Sequence, residues 1–272
     1  MKNSKIILTL TILFLSVLVF SMLTVTAAAL NTPQTYTTTD NSIQIEVKYK
    51  KVSTYKITFN GNGGKIGLKK SVSTEIKKGS LIKKFPTMPK RNGHRFIGWY
   101  TKKSGGTKVV VNSKPLNDFT LYAHWKKLKA IEIVGDAQFV INTKNALALI
   151  KQSPKNYEIV TQYIGRIKQA PSSGMAAYLN PPTFNVGNPT STYSTTWYAT
   201  CIVHDAYHSK LYNDYLATHQ SVPYTVWGNY TAEMKCLEVQ ISFQREIGAP
   251  QSELNHSISM RGSNWWDKPR TW

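Results

Sequence analysis

The sequence is short of acidic residues and of cysteine, and beyond its first 29 positions it holds no long hydrophobic run: 14 Asp and Glu stand against 34 Lys and Arg, and two cysteines are spread over 272 residues. The missing second run excludes a chain that crosses a membrane several times. Two cysteines allow at most one disulfide, so no disulfide framework holds this fold. No lipobox cysteine follows the N-terminal segment and no wall-sorting tail is recognisable near the C-terminus, so covalent attachment to lipid or wall is not expected.

What is present begins with Lys2 and Lys5, an uncharged apolar run from Ile6 to Leu23, and a small-residue stretch ending at Ala29. Residues 1–29 read as a secretory signal peptide cleaved after Ala29; an uncleaved signal anchor is the alternative, because the run approaches spanning length. The expected product is secreted or held non-covalently at a bacterial cell surface, with no stable membrane span once the signal is removed.

The charge is divided unevenly. Residues 46–129 carry 21 Lys and Arg against 3 Asp and Glu, while residues 130–272 carry 11 against 10. That asymmetry predicts a linker at 30–42, a basic module at 43–129 and a near-neutral domain at 130–272. Such a cationic module attracts polyanions over long range and loses them as salt rises. For an exported chain the partners this implies are anionic cell-wall polymers or host surface glycans, not nucleic acid.

Within the basic module, Ile43, Ile45, Val47 and Tyr49 alternate with polar residues as a half-buried strand does. Tyr55–Asn60 reads as a further strand running into the Gly61-Asn62-Gly63-Gly64 turn. YKITFNGNGG, PTMPKRNGHRFIGWYTKKSGGTKV and LYAHW together resemble a Listeria/Bacteroides repeat over residues 55–126, the module also found in internalin-type proteins. His94 departs from that pattern, standing where an aromatic is usual. The resemblance implies a compact β-grasp-like module used as a spacer or adhesive unit, with no enzymatic role. Phe96, Trp99, Tyr100 and Trp125 read as core aromatics of its small sheet.

In the near-neutral domain, Asn142 or Thr143 is expected to cap one helix. Ser153-Pro154 opens a second, carried by Tyr157, Val160, Ile164 and Ile167. Residues 174–188 read as extended, with prolines that suit an edge strand. Residues 195–215 follow as a helix on which His204 and His208 lie about 40° apart on one face. A last helix, capped by Thr231 and stopped by Gly248 and Pro250, places Glu233 in line with Leu237 and Ile241. A carboxylate on an apolar face is costly unless something pairs with it.

His204, His208 and Glu233 form a His₂Glu set with a fourth position open, the pattern of catalytic rather than structural zinc. HDAYH followed by AEMKCLEVQ is similar to the HExxH…E pattern of zincin metallopeptidases. That resemblance implies metal ligands at His204, His208 and Glu233, a general base at Asp205, and a peptide substrate. Asp205 is one methylene shorter than the usual glutamate, so it serves as base, as a partner orienting an imidazole, or in a site that only binds. Phe184–Val186 would hold an extended substrate, and Tyr224, Tyr230, His219 and His256 are the candidates for stabilising an oxyanion. Cys201 and Cys236 lie one turn from His204 and Glu233, so helices converging on a metal would bring the two sulfurs together as a disulfide.

Other readings compete. CIVHD also resembles the core of secreted phospholipase A2 enzymes, which would make His204 the base and Asp205 a Ca²⁺ ligand, although no glycine-rich calcium loop precedes it. An HD-type phosphohydrolase needs a further histidine within 130–203, and none is there. In a non-catalytic surface protein the two histidines would simply be hydrogen-bonded in the core. The expected fold class is α+β: a small β-grasp-like repeat module, then a mostly α-helical minimal-zincin-like domain with a short edge strand. The expected function is a zinc-dependent peptidase attached to an anionic surface by its basic module.

Overall fold

The computed structural model describes residues 52–263, together with the backbone of three short strands nearer the N-terminus. Those strands, β1 (Ile7–Leu10), β2 (Thr35–Thr39) and β3 (Ser42–Glu46), form an antiparallel sheet in the order β1-β3-β2. They belong to one compact unit, Met1–Ser53, and the rest of the chain forms a second. The signal segment and its cleavage site lie largely outside the described residues, as does the C-terminal Trp265-Trp266, while the stretch expected as a linker contains β2 and the first residue of β3. No helix among the described residues is long and apolar enough to cross a membrane.

The second unit begins with the basic segment: β4 (Thr54–Asn60), β5 (Ser71–Lys77), β6 (His94–Tyr100), β7 (Lys108–Val109) and β8 (Phe119–Lys127). Their order is β5-β4-β8-β6-β7, with β4 and β8 parallel and the other pairs antiparallel. Alternation places Ile57, Phe59, Trp99, Leu121 and Ala123 in one apolar cluster, each no more than 1% exposed. Phe59 and Phe96 meet the Trp99 ring edge-on, at 5.0 and 5.3 Å between centroids. The turn after β4 is set by glycine and closed by Trp125. A side chain at Gly64 would collide with the Trp125 ring, whose Nε1 donates to the carbonyls of Gly61 and Asn62 at 3.1 and 3.0 Å. The GNGG and LYAHW stretches are thus two halves of one contact.

The near-neutral segment is a mixed α/β arrangement. It runs β9 (Glu132–Val134), α1 (Ala137–Ile150), α2 (Pro154–Tyr163), β10 (Arg166–Gln169), β11 (Gly174–Ala176), β12 (Thr183–Val186) and α3 (Asn188–Tyr193). Then come α4 (Thr195–Thr218), α5 (Tyr224–Trp227), α6 (Tyr230–Glu246) and α7 (Gln251–Ser259). Its sheet has the order β11-β12-β10-β9, with β10 parallel to both β12 and β9 and β11 antiparallel to β12. The core joins Phe139, Ala146 and Ile150 of α1 to Ile167, Phe184 and Val186 of the sheet and Tyr198, Ile202 and Val203 of α4.

Several local expectations change. Helix α1 is capped by Asp136, which accepts from the Phe139 N–H at 2.8 Å, rather than by Asn142 or Thr143. Those two polar residues sit inside the helix with their hydrogen bonds met: Thr143 donates to the Phe139 carbonyl one turn back and meets the Tyr198 hydroxyl of α4, and Asn142 donates to the Ser191 carbonyl. Helix α2 stops at Tyr163 although its apolar spacing runs on, because Ile167 is claimed by parallel pairing in β10. The extended stretch 174–188 becomes two strands. Phe184–Val186 lies inside the sheet, and Gly174–Ala176 is the edge. Asn229 rather than Thr231 caps α6, accepting from Ala232 at 3.1 Å.

The basic and near-neutral segments also touch. The C-terminal end of α4 enters the aromatic cluster of the basic sheet through Ala217, which is 1% exposed. Gly98, with φ 140°, leaves room for it: a Cβ there would stand 2.9 Å from the Ala217 carbonyl oxygen. The Val111 N–H donates to Thr218 at 2.9 Å, and Lys108 Nζ donates to the Leu216 carbonyl at 2.5 Å.

Candidate metal centre

Nothing in α4 breaks a helix: Thr195–Thr218 contains neither glycine nor proline, and Ser194 caps it by accepting from the Trp197 N–H at 2.8 Å. Tyr198, Ala199, Ile202, Val203 and Ala206 spend one side on the core. His204 and His208 emerge on the side that meets α6. Glu233 lies in the first turn of α6, where the helix dipole favours a carboxylate. His204, His208 and Glu233 are 5, 4 and 3% exposed.

Three donor atoms converge. His204 Nε2 and His208 Nε2 are 3.1 Å apart, and each is 3.2 Å from Glu233 Oε2. Donors on a tetrahedral zinc, at about 2.0–2.1 Å from the ion, stand about 3.3 Å from one another, so this triangle has the size of one face of such a site. The His208 Nδ1 is 2.5 Å from the Trp227 carbonyl, which can only accept. When His208 is neutral its one proton is therefore on Nδ1, and its Nε2 turns a lone pair toward the other two donors. A lone pair, a second imidazole nitrogen and a carboxylate oxygen at this spacing require a proton or a cation among them.

The electrostatics agree. Burial would raise the Glu233 carboxyl, but hydrogen bonds from His204 and His208 outweigh it and hold Glu233 well below the usual carboxylate range. Burial would likewise discharge His208, yet Cys236 and Glu233 beside it push the imidazole well above its ordinary value.

Asp205 is buried and lines the same cleft of about 310 Å³ as His208 and Glu233. Edge strand β11 supplies one wall, and Tyr178, Tyr224 and Trp227 stand around the rim. Of the four residues considered for an oxyanion, Tyr224 lines the cleft. His219 instead stacks on Tyr215, with 3.6 Å between ring centroids, and His256 packs against Trp197. The structure does not join Cys201 to Cys236. Cys236 is fully buried, and its sulfur belongs to a group with the His204 and His208 nitrogens whose ligand atoms all lie within 4.8 Å of one another. Cys201 packs at the edge of the apolar core. Sequence reasoning missed the place of Cys236 beside the histidines, although its position one turn after Glu233 was the signal for it. It also missed the Trp227 carbonyl, a main-chain group with no residue-type signature.

A larger cleft, of about 380 Å³, lies away from the histidines where the two segments meet. Arg95, Lys126, Lys127 and Lys129 line it, and the single lining carboxylate, Glu132, accepts from Arg166 Nε at 2.7 Å. It offers cations and no set of metal ligands.

Comparison with known proteins accounts for the basic segment. Residues 55–124 match the Listeria-Bacteroides repeat domain. Internalin H of Listeria monocytogenes serovar 1/2a (strain ATCC BAA-679 / EGD-e) is 41% identical over 58 residues. That similarity covers 21% of this chain and 10% of Internalin H. The matched residues contain Phe59 and Trp99 of the aromatic core and Gly98 of the junction with α4, Trp125 follows them directly, and none of the residues of the histidine site lies among them.

Proposed function

We propose that this protein is a bacterial surface-associated, metal-dependent hydrolase of the zincin-like kind. Its His204, His208 and Glu233 would hold a zinc ion, and its repeat would attach it to an anionic surface. The observation that carries the reading is the convergence of two imidazole nitrogens and one carboxylate oxygen within 3.2 Å of one another in a buried site. Zinc supplies Lewis acidity, polarising a substrate carbonyl and making water nucleophilic near neutral pH. Asp205, on the cleft wall, takes the proton from the attacking water and delivers it to the leaving amine. The Trp227 carbonyl orients His208. Tyr224, which lines the cleft, would donate a hydrogen bond to an oxyanion. An extended peptide adds to β11 as a further strand, since that strand is both the sheet edge and a wall of the cleft.

Attachment to anionic cell-wall polymers or host surface glycans draws support from the repeat, from its similarity to part of Internalin H, and from the excess of 21 basic over 3 acidic residues in 46–129. The phospholipase A2-like alternative, with Ca²⁺ at Asp205, gives Glu233 no task against the two histidines. Elemental mass spectrometry of the full chain tests the proposal. About one zinc per molecule is expected, and it should be lost in both His204→Ala and Glu233→Ala. A full chain that holds no zinc after exposure to it would end the hydrolase reading and leave a surface protein with hydrogen-bonded core histidines.

A further inference from the structure

Cys236 belongs to the same constellation and has no place in a His₂Glu site. It follows Glu233 by three residues on α6, so both side chains leave the same face of that helix toward α4. Its sulfur and the two histidine nitrogens form a group whose ligand atoms all lie within 4.8 Å of one another, and the residue is 0% exposed. The Cys236 thiol is hydrogen-bonded to His208, an imidazole already shared with Glu233, so its sulfur faces the donor cluster rather than the apolar core.

We propose that Cys236 is a metal ligand alongside His204 and His208, with Glu233 set against the same two imidazoles. The inference rests on the reading of His204, His208 and Glu233 as metal ligands. On binding, the Cys236 thiol loses its proton to solvent and its sulfur donates a lone pair to the ion, a step that changes no oxidation state. A thiolate selects borderline and soft ions such as Zn²⁺ and Co²⁺ and disfavours Ca²⁺ and Mg²⁺, which take oxygen donors.

Cobalt(II) reports on this directly, because a cobalt–thiolate bond gives an intense near-ultraviolet charge-transfer band that nitrogen and oxygen donors do not. The full chain, Cys236→Ser, Cys201→Ser and Glu233→Ala are each titrated with cobalt alone, and the melting of each metal-free protein shows whether it is folded. The expected result is a charge-transfer band in the wild type and in Cys201→Ser. In Cys236→Ser the band should vanish while weaker visible bands show cobalt still bound. Cys236→Ser should also weaken cobalt affinity by more than the roughly 10–100-fold that loss of an outer partner costs. Bound cobalt without the band in the wild type, or a band that survives in Cys236→Ser, overturns the assignment of Cys236 and leaves the His₂Glu site standing. Failure of the wild type to bind cobalt at all overturns the metal reading, and this inference with it.

Discussion

The repeat and the segment that follows it differ most in what they bury. Among the described residues every buried polar or charged side chain but one lies after residue 130, the exception being Arg95. The repeat builds its interior from interlocked aromatics and keeps its lysines mostly exposed. Its partner segment encloses two histidines, two aspartate or glutamate side chains from α4 and α6, and several glutamines, serines and threonines. Enclosing such groups costs stability unless each finds a partner. The comparison therefore separates a region with an apolar, aromatic interior from one that encloses polar and ionisable side chains.

The comparison breaks most visibly at Trp99. Trp99→Ala empties the centre of the repeat and should cost about 3–5 kcal/mol in urea unfolding. Because Ala217 shares that core, amide exchange near the C-terminal end of α4 should accelerate as well. A variant in which α4 keeps its full protection would show that the two regions are energetically separate. A smaller effect is expected at the junction. Gly98→Ala places a Cβ against the Ala217 carbonyl at a φ of 140° and should cost more than about 1 kcal/mol. Zinc stoichiometry should not change in that variant.

The smallest effect sharpens the other side. Hydrogen bonds from the Phe139 N–H and the Gln169 side chain hold the Asp136 carboxyl below its usual value of 3.8. A carboxyl depressed on folding stabilises above its unfolded value, and the contribution disappears as pH falls through the lower folded value. Asp136→Asn keeps a capping acceptor and drops the charge. Thermal melts should place it slightly below the wild type at pH 7, and the two should converge in acid.

How legible these regions were in the sequence follows from the range of their contacts. The repeat could be read from its turns and aromatics, since Gly61-Asn62-Gly63-Gly64 and the closing Trp125 carry residue types that few other arrangements need. His204 and His208 could be read because one helix places them together. Glu233 stood out as a carboxylate on an apolar stripe. The start of α1 could not be read, because Asn142 and Thr143 resemble caps until Ser191 and Tyr198 arrive from elsewhere in the fold. Ile167 fitted the helical period of α2 and was taken by the sheet. The cysteines were expected to face each other, but spacing along two helices does not say that Cys201 turns to the apolar core while Cys236 turns to the histidines.

Helix α4 is also a lever arm. His208 and Ala217 are nine residues apart on one unbroken helix, about 13 Å along its axis. One end sits in the core of the repeat and the middle carries the histidines, with no glycine or proline between them. A displacement of the repeat's core is carried along the helix toward His204 and His208, so the direction in which the cleft faces is tied to the repeat.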